Sequence, residues 1–184
     1  QVIEAEQRSL REIEQAFDQH PDDIAAILIE PIQAEGGDNH FRGEFLHQLR
    51  RIANEREALL IFDEVQTGMG LTGKWWAYQH FGVVPDILCF AKKMQLGGMF
   101  AGPRLDEVKD NVFHVPSRIN STFGGSLVDM VRTTHILEII ENEQLLANAA
   151  ERGAELLAGL HAMEERFSVV TNARGRGLMC AIDL

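Results

Sequence analysis

Two short apolar runs that stop abruptly on charge constrain this chain more than any other feature. Ala58-Leu59-Leu60-Ile61-Phe62 ends on Asp63-Glu64, and Ile87-Leu88-Cys89-Phe90-Ala91 ends on Lys92-Lys93. Their length and composition are those of strands buried on both faces, the situation of parallel strands inside an α/β sheet. A third run, Ile24-Ala25-Ala26-Ile27-Leu28-Ile29, ends on Glu30, and Pro31 then forces the chain out of the ladder. Phe41 to Glu57 reads as a helix with Phe45, Leu46, Leu49 and Ile52 on one face. Strand, helix, strand is a crossover linking parallel neighbours. In open sheets of this kind the carboxyl ends of the strands line the ligand crevice. Asp63 and Lys92 are therefore expected there together.

The rest of the chain extends an α/β reading. Glu4 to Gln19 is a polar helix with Leu10, Ile13 and Phe17 at helical spacing, and Trp75 to His80 is expected to form a short helix. Met99 to Gly102 is a further candidate strand. From Leu127 to Arg166 the pattern is helical, as one long helix followed by or merging into another. Phe167 to Thr171 and Gly177 to Asp183 read as strands of a second, smaller domain. The expected division is 1–135 as part of a large domain and 136–184 as a connecting helix and the start of a small C-terminal one. The chain opens on Gln1 and stops inside an apolar run, so we expect an internal piece of a longer enzyme.

Charge and cysteine usage exclude several classes. A net charge of -11 argues against a nucleic-acid or anionic-membrane surface. No apolar run approaches a membrane span. Cys89 and Cys180 are the only cysteines; Cys89 sits in an expected strand as a core thiol, which fits a cytoplasmic protein better than a secreted disulfide framework. The seven histidines show no metal-ligand spacing, so no metal is expected. An apolar strand ending on Asp-Glu also suits a nucleotide-hydrolysing strand, but that reading needs a phosphate loop. Gly70-Leu71-Thr72-Gly73-Lys74-Trp75 is too short between glycines, has Trp75 in place of the hydroxyl, and follows the strand it should precede.

An acid and an amine at neighbouring strand ends suit pyridoxal 5'-phosphate, whose aldehyde bonds to a lysine and whose ring nitrogen wants an acidic partner. Asp63 would keep that nitrogen protonated. Val65, on the same side as Asp63, could pack against the ring, and Gln66 could donate to the 3-hydroxyl oxygen. Of the adjacent lysines only one can face the ring; the apolar run before Lys92 favours it, with Lys93 turned away. A buried lysine beside another cation has a lowered pKa and is nucleophilic. Glu35 follows a strand end but reads first as an exposed loop acid. Ser121 and Thr122, in Asn120-Ser121-Thr122-Phe123-Gly124-Gly125, suit a phosphate and equally a plain turn.

Taken together, Glu30-Pro31-Ile32-Gln33-Ala34-Glu35-Gly36-Gly37, Phe62-Asp63-Glu64-Val65-Gln66-Thr67-Gly68 and Pro85-Asp86 followed by Lys92 resemble the class III (ω-amino acid) pyridoxal-phosphate aminotransferases across the whole chain. Thr67 to Gln79, Lys92-Lys93-Met94-Gln95, Asn111 to Thr122 and Arg174 to Cys180 look most like the branch acting on the ε-amine of lysine, with the 4-aminobutyrate and ornithine branches as rivals. The resemblance implies the type I fold of these transferases, a mostly parallel sheet flanked by helices. It implies Lys92 as the lysine bonded to the cofactor, Asp63 on the ring nitrogen, Val65 on the ring and Gln66 on the 3-hydroxyl oxygen. Thr122, with Ser121, would reach the phosphate of a neighbouring subunit in a homodimer. Glu35 would be the switch that neutralises an active-site arginine while the ω-amine binds, and frees it for the carboxylate of 2-oxoglutarate. The family's upstream phosphate loop, ring-stacking aromatic and carboxylate-binding arginine have no counterpart in this stretch, so by itself it should not turn over substrate. Ala91 stands where many relatives have glycine.

Overall fold

The computed structural model describes residues 2–184. The three charge-terminated runs become adjacent strands of one sheet. After helix α1 (Val2–Gln19) come β1 (Ala26–Ile29), the short β2 (Ile32–Gln33) and β3 (Asn39–His40), helix α2 (Gly43–Glu55) and β4 (Leu59–Asp63). Then follow β5 (Ile87–Phe90), β6 (Gly98–Ala101), helices α3 (Leu127–Asn142) and α4 (Leu145–Arg166), and the hairpin β7 (Thr171–Arg176) and β8 (Met179–Asp183). The main sheet has the order β1-β4-β5-β6. β1, β4 and β5 run parallel, and β6 closes the edge antiparallel. The expected mostly parallel α/β sheet is what forms.

Alternation along β4 decides which way Asp63 points. Leu60 and Phe62 are fully buried under α2, in a cluster with Phe45, Leu46, Leu49 and Ile52. Successive strand residues face opposite sides, so Asp63 shares the other side with Leu59 and Ile61. Its register partner on β5 is Cys89, half-buried rather than a core thiol. A second cluster, with Met69, Leu88, Phe90, Met94 and Ile140, joins β5 to α3.

Several boundaries differ from the sequence expectation. Trp75 to His80 forms only a 3₁₀ turn at Ala77–His80. The long helical stretch divides at Glu143–Gln144, where Gln144 is left-handed (φ 52°). Phe167 to Val170 is not a strand: Phe167 and Val169 are exposed, and β7 begins at Thr171. Gln33 to Asp38, expected as a loop, is closed by the small β2–β3 pairing.

The β7–β8 hairpin is keyed to the rest of the chain by its turn. Gly177 adopts φ 59°, and a Cβ there would overlap the Leu71–Thr72 backbone. A Cβ on Gly153 of α4 would overlap Gly177 in turn. Leu178 N–H donates to the Leu71 carbonyl at 2.9 Å. Only glycine tolerates both the backbone angle and the contact.

Candidate functional site

The parallel pairing brings three charged strand ends side by side. Phe62 is opposite Ile29 and Asp63 opposite Cys89, so Glu30, Asp63 and Lys92 leave the sheet at one edge. Each is then fixed differently. Glu30 bends the chain back, its Oε2 accepting from Ala34 N–H at 3.1 Å. Asp63 is half-buried, and its Oδ1 accepts from Val65 N–H at 3.0 Å. That local bond fixes the carboxylate rotamer. Among the described residues the second Asp63 oxygen has no hydrogen-bond partner and remains available to a ligand. The thiol of Cys89 is pushed up by burial and by the Asp63 charge, so it stays neutral.

Glu64 has the opposite environment. It is 1% exposed and takes three donors: Thr67 Oγ1 at 2.8 Å, Ala77 N–H at 2.7 Å and Tyr78 N–H at 2.8 Å. Burial is the largest influence on its carboxyl and pushes it up, against those bonds. A buried acid with all its acceptors engaged is a brace. Glu64 ties the Val65–Thr67 turn to the turn at Ala77, a role that its place after Asp63 does not signal.

Lys92 is exposed and left-handed (φ 47°), directly after the extended Ala91. A non-glycine residue in that region costs conformational energy and is held only by its surroundings. The turn is held: Met94 is buried, Thr133 Oγ1 donates to its carbonyl at 2.9 Å, and Arg132 donates to the Gln95 carbonyl at 2.9 Å. Lys93 is not turned away to solvent. It is half-buried, and its ammonium donates to the Gln66 carbonyl at 2.6 Å. The pKa of Lys93 is lowered, through burial first and then the Lys92 charge.

Glu35 is exposed, yet its Oε1 accepts from Gln66 Nε2 at 3.2 Å. It lines an open cavity of about 340 Å³ with Ala34, Gly37, Asp38 and Met179. Lys93, Gln66 and Glu35 thus form one connected line beside Asp63. Ser121 and Thr122 lie apart, both exposed, on a turn closed by Gly124 N–H donating to the Ser121 carbonyl at 3.1 Å.

The sequence profile of the aminotransferase class-III family matches residues 2–184. The chain belongs to the class III aminotransferases. It is 56% identical over 184 residues to "L-lysine-epsilon aminotransferase" of Mycobacterium tuberculosis, covering 100% of this chain and 40% of that protein. The Amycolatopsis lactamdurans enzyme of the same description is 54% identical over 182 residues, 98% of this chain and 40% of the relative. Human mitochondrial 4-aminobutyrate aminotransferase is 40% identical over 163 residues, 87% of this chain and 31% of that one. The solved lysine aminotransferase of M. tuberculosis, described as in the internal aldimine form, superposes with a TM-score of 0.93 at 55% identity, over 96% of this chain and 41% of that one. The chain thus spans about two-fifths of the length of the lysine-epsilon relatives it matches.

As a class III aminotransferase chain it is expected to serve pyridoxal 5'-phosphate, and the donor set fits. An available carboxylate oxygen on Asp63 suits a ring nitrogen, and an exposed lysine held on a strained turn suits an aldehyde. No group of three or more His, Cys, Asp or Glu side chains that could hold a metal ion occurs among the described residues.

Proposed function

We propose that the intact protein transfers the ε-amino group of L-lysine to 2-oxoglutarate, giving the semialdehyde and L-glutamate, with pyridoxal 5'-phosphate as cofactor. One observation carries the reading. Asp63 and Lys92 leave adjacent parallel strands at the same edge, in a chain 56% identical to lysine-epsilon aminotransferases and 40% identical to a 4-aminobutyrate enzyme.

When bound, the cofactor supplies the electron sink that carbanion chemistry requires. Asp63 keeps the ring nitrogen protonated through its available oxygen. Lys92 would hold the cofactor covalently at rest. Its free Nζ would take the proton from the ε-carbon as general base and deliver it to the cofactor as general acid. Val65 packs on the ring and Gln66 contacts the 3-hydroxyl oxygen, its backbone set by Lys93. Glu35 covers an active-site arginine contributed from outside residues 1–184, and uncovers it for the carboxylate of 2-oxoglutarate.

Thr122 and Ser121 serve the phosphate of a neighbouring subunit in a homodimer. Support comes from the apolar surface beside them: Phe123 is 81% exposed, Leu127 81% and Val128 73%. Large apolar side chains exposed close together in the chain suit an interaction surface. The expected division into a large domain and the start of a small one, at residues 135–136, would fall within α3, which runs unbroken from Leu127 to Asn142.

The test is a donor series on the intact protein, with lysine, ornithine and 4-aminobutyrate each paired with 2-oxoglutarate. Lysine should give the highest kcat/KM. A preference for either other amine moves the protein to a different branch of the class, and no glutamate from any donor removes the reading altogether.

A further inference from the structure

We propose that Arg174, on the β7–β8 hairpin, is a positioning residue for Glu35. It clamps the backbone of the Glu35 loop so that the carboxylate reaches its cationic partner. The inference rests on the reading of Glu35 as the switch.

The clamp is built from contacts across the chain. Arg174 Nε donates to the Asp38 carbonyl at 2.8 Å, and a terminal nitrogen donates to the Gly37 carbonyl at 3.3 Å. The other terminal nitrogen is held by Asp183 Oδ1 at 2.8 Å and the Asn172 carbonyl at 2.9 Å. Such charge-assisted, forked bonds orient as well as attract. The loop they grip needs holding. Gly37 and Asp38 both lie at positive φ (120° and 52°), and their N–H groups close a tight turn on the Ala34 carbonyl at 3.2 and 2.8 Å. Asp38 pays for that angle with local strain. Glu35 sits inside this turn, its side chain on Gln66. The hairpin's own turn is wedged between Gly153 and the Leu71–Thr72 backbone, so Arg174 grips from a fixed base.

With the loop clamped, only the Glu35 side chain has to move between its two partners. Without the clamp the backbone drifts, and the arginine that Glu35 should neutralise stays bare while a cationic amine enters. The lysine half-reaction should suffer and the 2-oxoglutarate half-reaction should not.

Single-turnover kinetics of each half-reaction on the intact protein test this. Arg174→Ala should lower kcat/KM for lysine at least about tenfold, the lower end for one lost charge-assisted bond, and leave 2-oxoglutarate within about twofold. Asp183→Asn, at a half-exposed side chain, should act in the same direction with a smaller effect. In a Glu35→Ala background Arg174→Ala should add nothing. Hydrogen exchange at the Gly37 and Asp38 amides should quicken in Arg174→Ala and not in Glu35→Ala. Equal loss in both half-reactions, or additivity with Glu35→Ala, refutes the clamp. Glu35→Ala alone separates the two failures. If it leaves both half-reactions unchanged, the switch reading falls and the clamp falls with it. If it separates them and Arg174→Ala does not, only the clamp is wrong.

Discussion

The strand-end groups and the Ser121–Gly125 loop follow opposite plans. At the strand ends each group is fixed from within the chain: Asp63 by Val65 N–H, Gln66 by Lys93, the Lys92 turn by Thr133 and Arg132. The loop is held only by local backbone bonds, from Gly124 N–H to the Ser121 carbonyl and from Ser126 N–H to the Phe123 carbonyl, and presents Ser121, Thr122 and an 81%-exposed Phe123 outward. A preorganised site needs supporting contacts behind every functional group. The first region has them already. The second has hydroxyls and an apolar side chain waiting for a surface, which is what an interface segment looks like before its partner is in place.

If that contrast is functional, substitutions at the strand ends should cost far more than substitutions in the loop. Lys92→Ala in the intact protein should remove the visible absorbance of the bound cofactor and lower turnover by at least about a thousandfold, since it deletes both the covalent anchor and the acid–base group. Asp63→Asn should cost on the order of a hundredfold, about 3 kcal/mol, for a cation left without its carboxylate. An unchanged visible spectrum in Lys92→Ala would break the comparison at its root. A loss in the paired Ser121→Ala, Thr122→Ala variant larger than in Asp63→Asn would reverse it.

The strand ends were legible because the signal is local: an apolar run that stops on charge gives both a strand and the residue at its end. What came next was not. Lys93 was expected to face away from the crevice, by simple alternation past Lys92. The chain instead leaves β5 through a 3₁₀ turn with Lys92 left-handed, and alternation fails as soon as the strand does. Glu35 carried no local signal above that of a loop acid, and its pairing with Gln66 depends on a contact across 31 positions. Arg174 reaches Asp38 across 136 positions, which no periodicity can encode. β7 was placed too early because Phe167 and Val169 look strand-like, while both are exposed and no strand forms before Thr171. Local pattern yielded the sheet and its charged ends, and tertiary contact supplied the braces.

The loop's share of the site is sharpened by mixing subunits. In a heterodimer of Lys92→Ala with the paired Ser121→Ala, Thr122→Ala variant, a shared site would regain one intact copy, with Lys92 from one chain and both hydroxyls from the other. Random mixing should then restore about a quarter of wild-type turnover at limiting cofactor, while each parent stays low. Failure to recover on mixing would place the hydroxyls in their own chain's site, and the exposed loop would need another explanation.

The smallest effect concerns pH, and it should appear only on the packed side of the contrast. The His80 ring is held beside the Thr72 carbonyl and hydroxyl at 3.1 Å, its N–H donating. Burial, then the charges of Arg176 and Lys74, bring its pKa down from 6.5 to about 4. The folded chain therefore refuses a proton that the unfolded chain accepts between about pH 6.5 and 4. Stability attributable to His80 is complete above that window and lost as pH falls through it. The size is on the order of 1 kcal/mol once solvent screening around a partly exposed ring is allowed for. Glu64 works the other way, since burial raises its carboxyl and it takes up protons more readily folded than unfolded. The wild-type curve alone mixes the two. Comparing urea midpoints of wild type and His80→Gln across that range isolates the histidine, because Glu64 is present in both. The variant should lose less stability on acidification, by about the same 1 kcal/mol. Parallel curves would mean that the ring titrates normally and that burial does not hold it neutral.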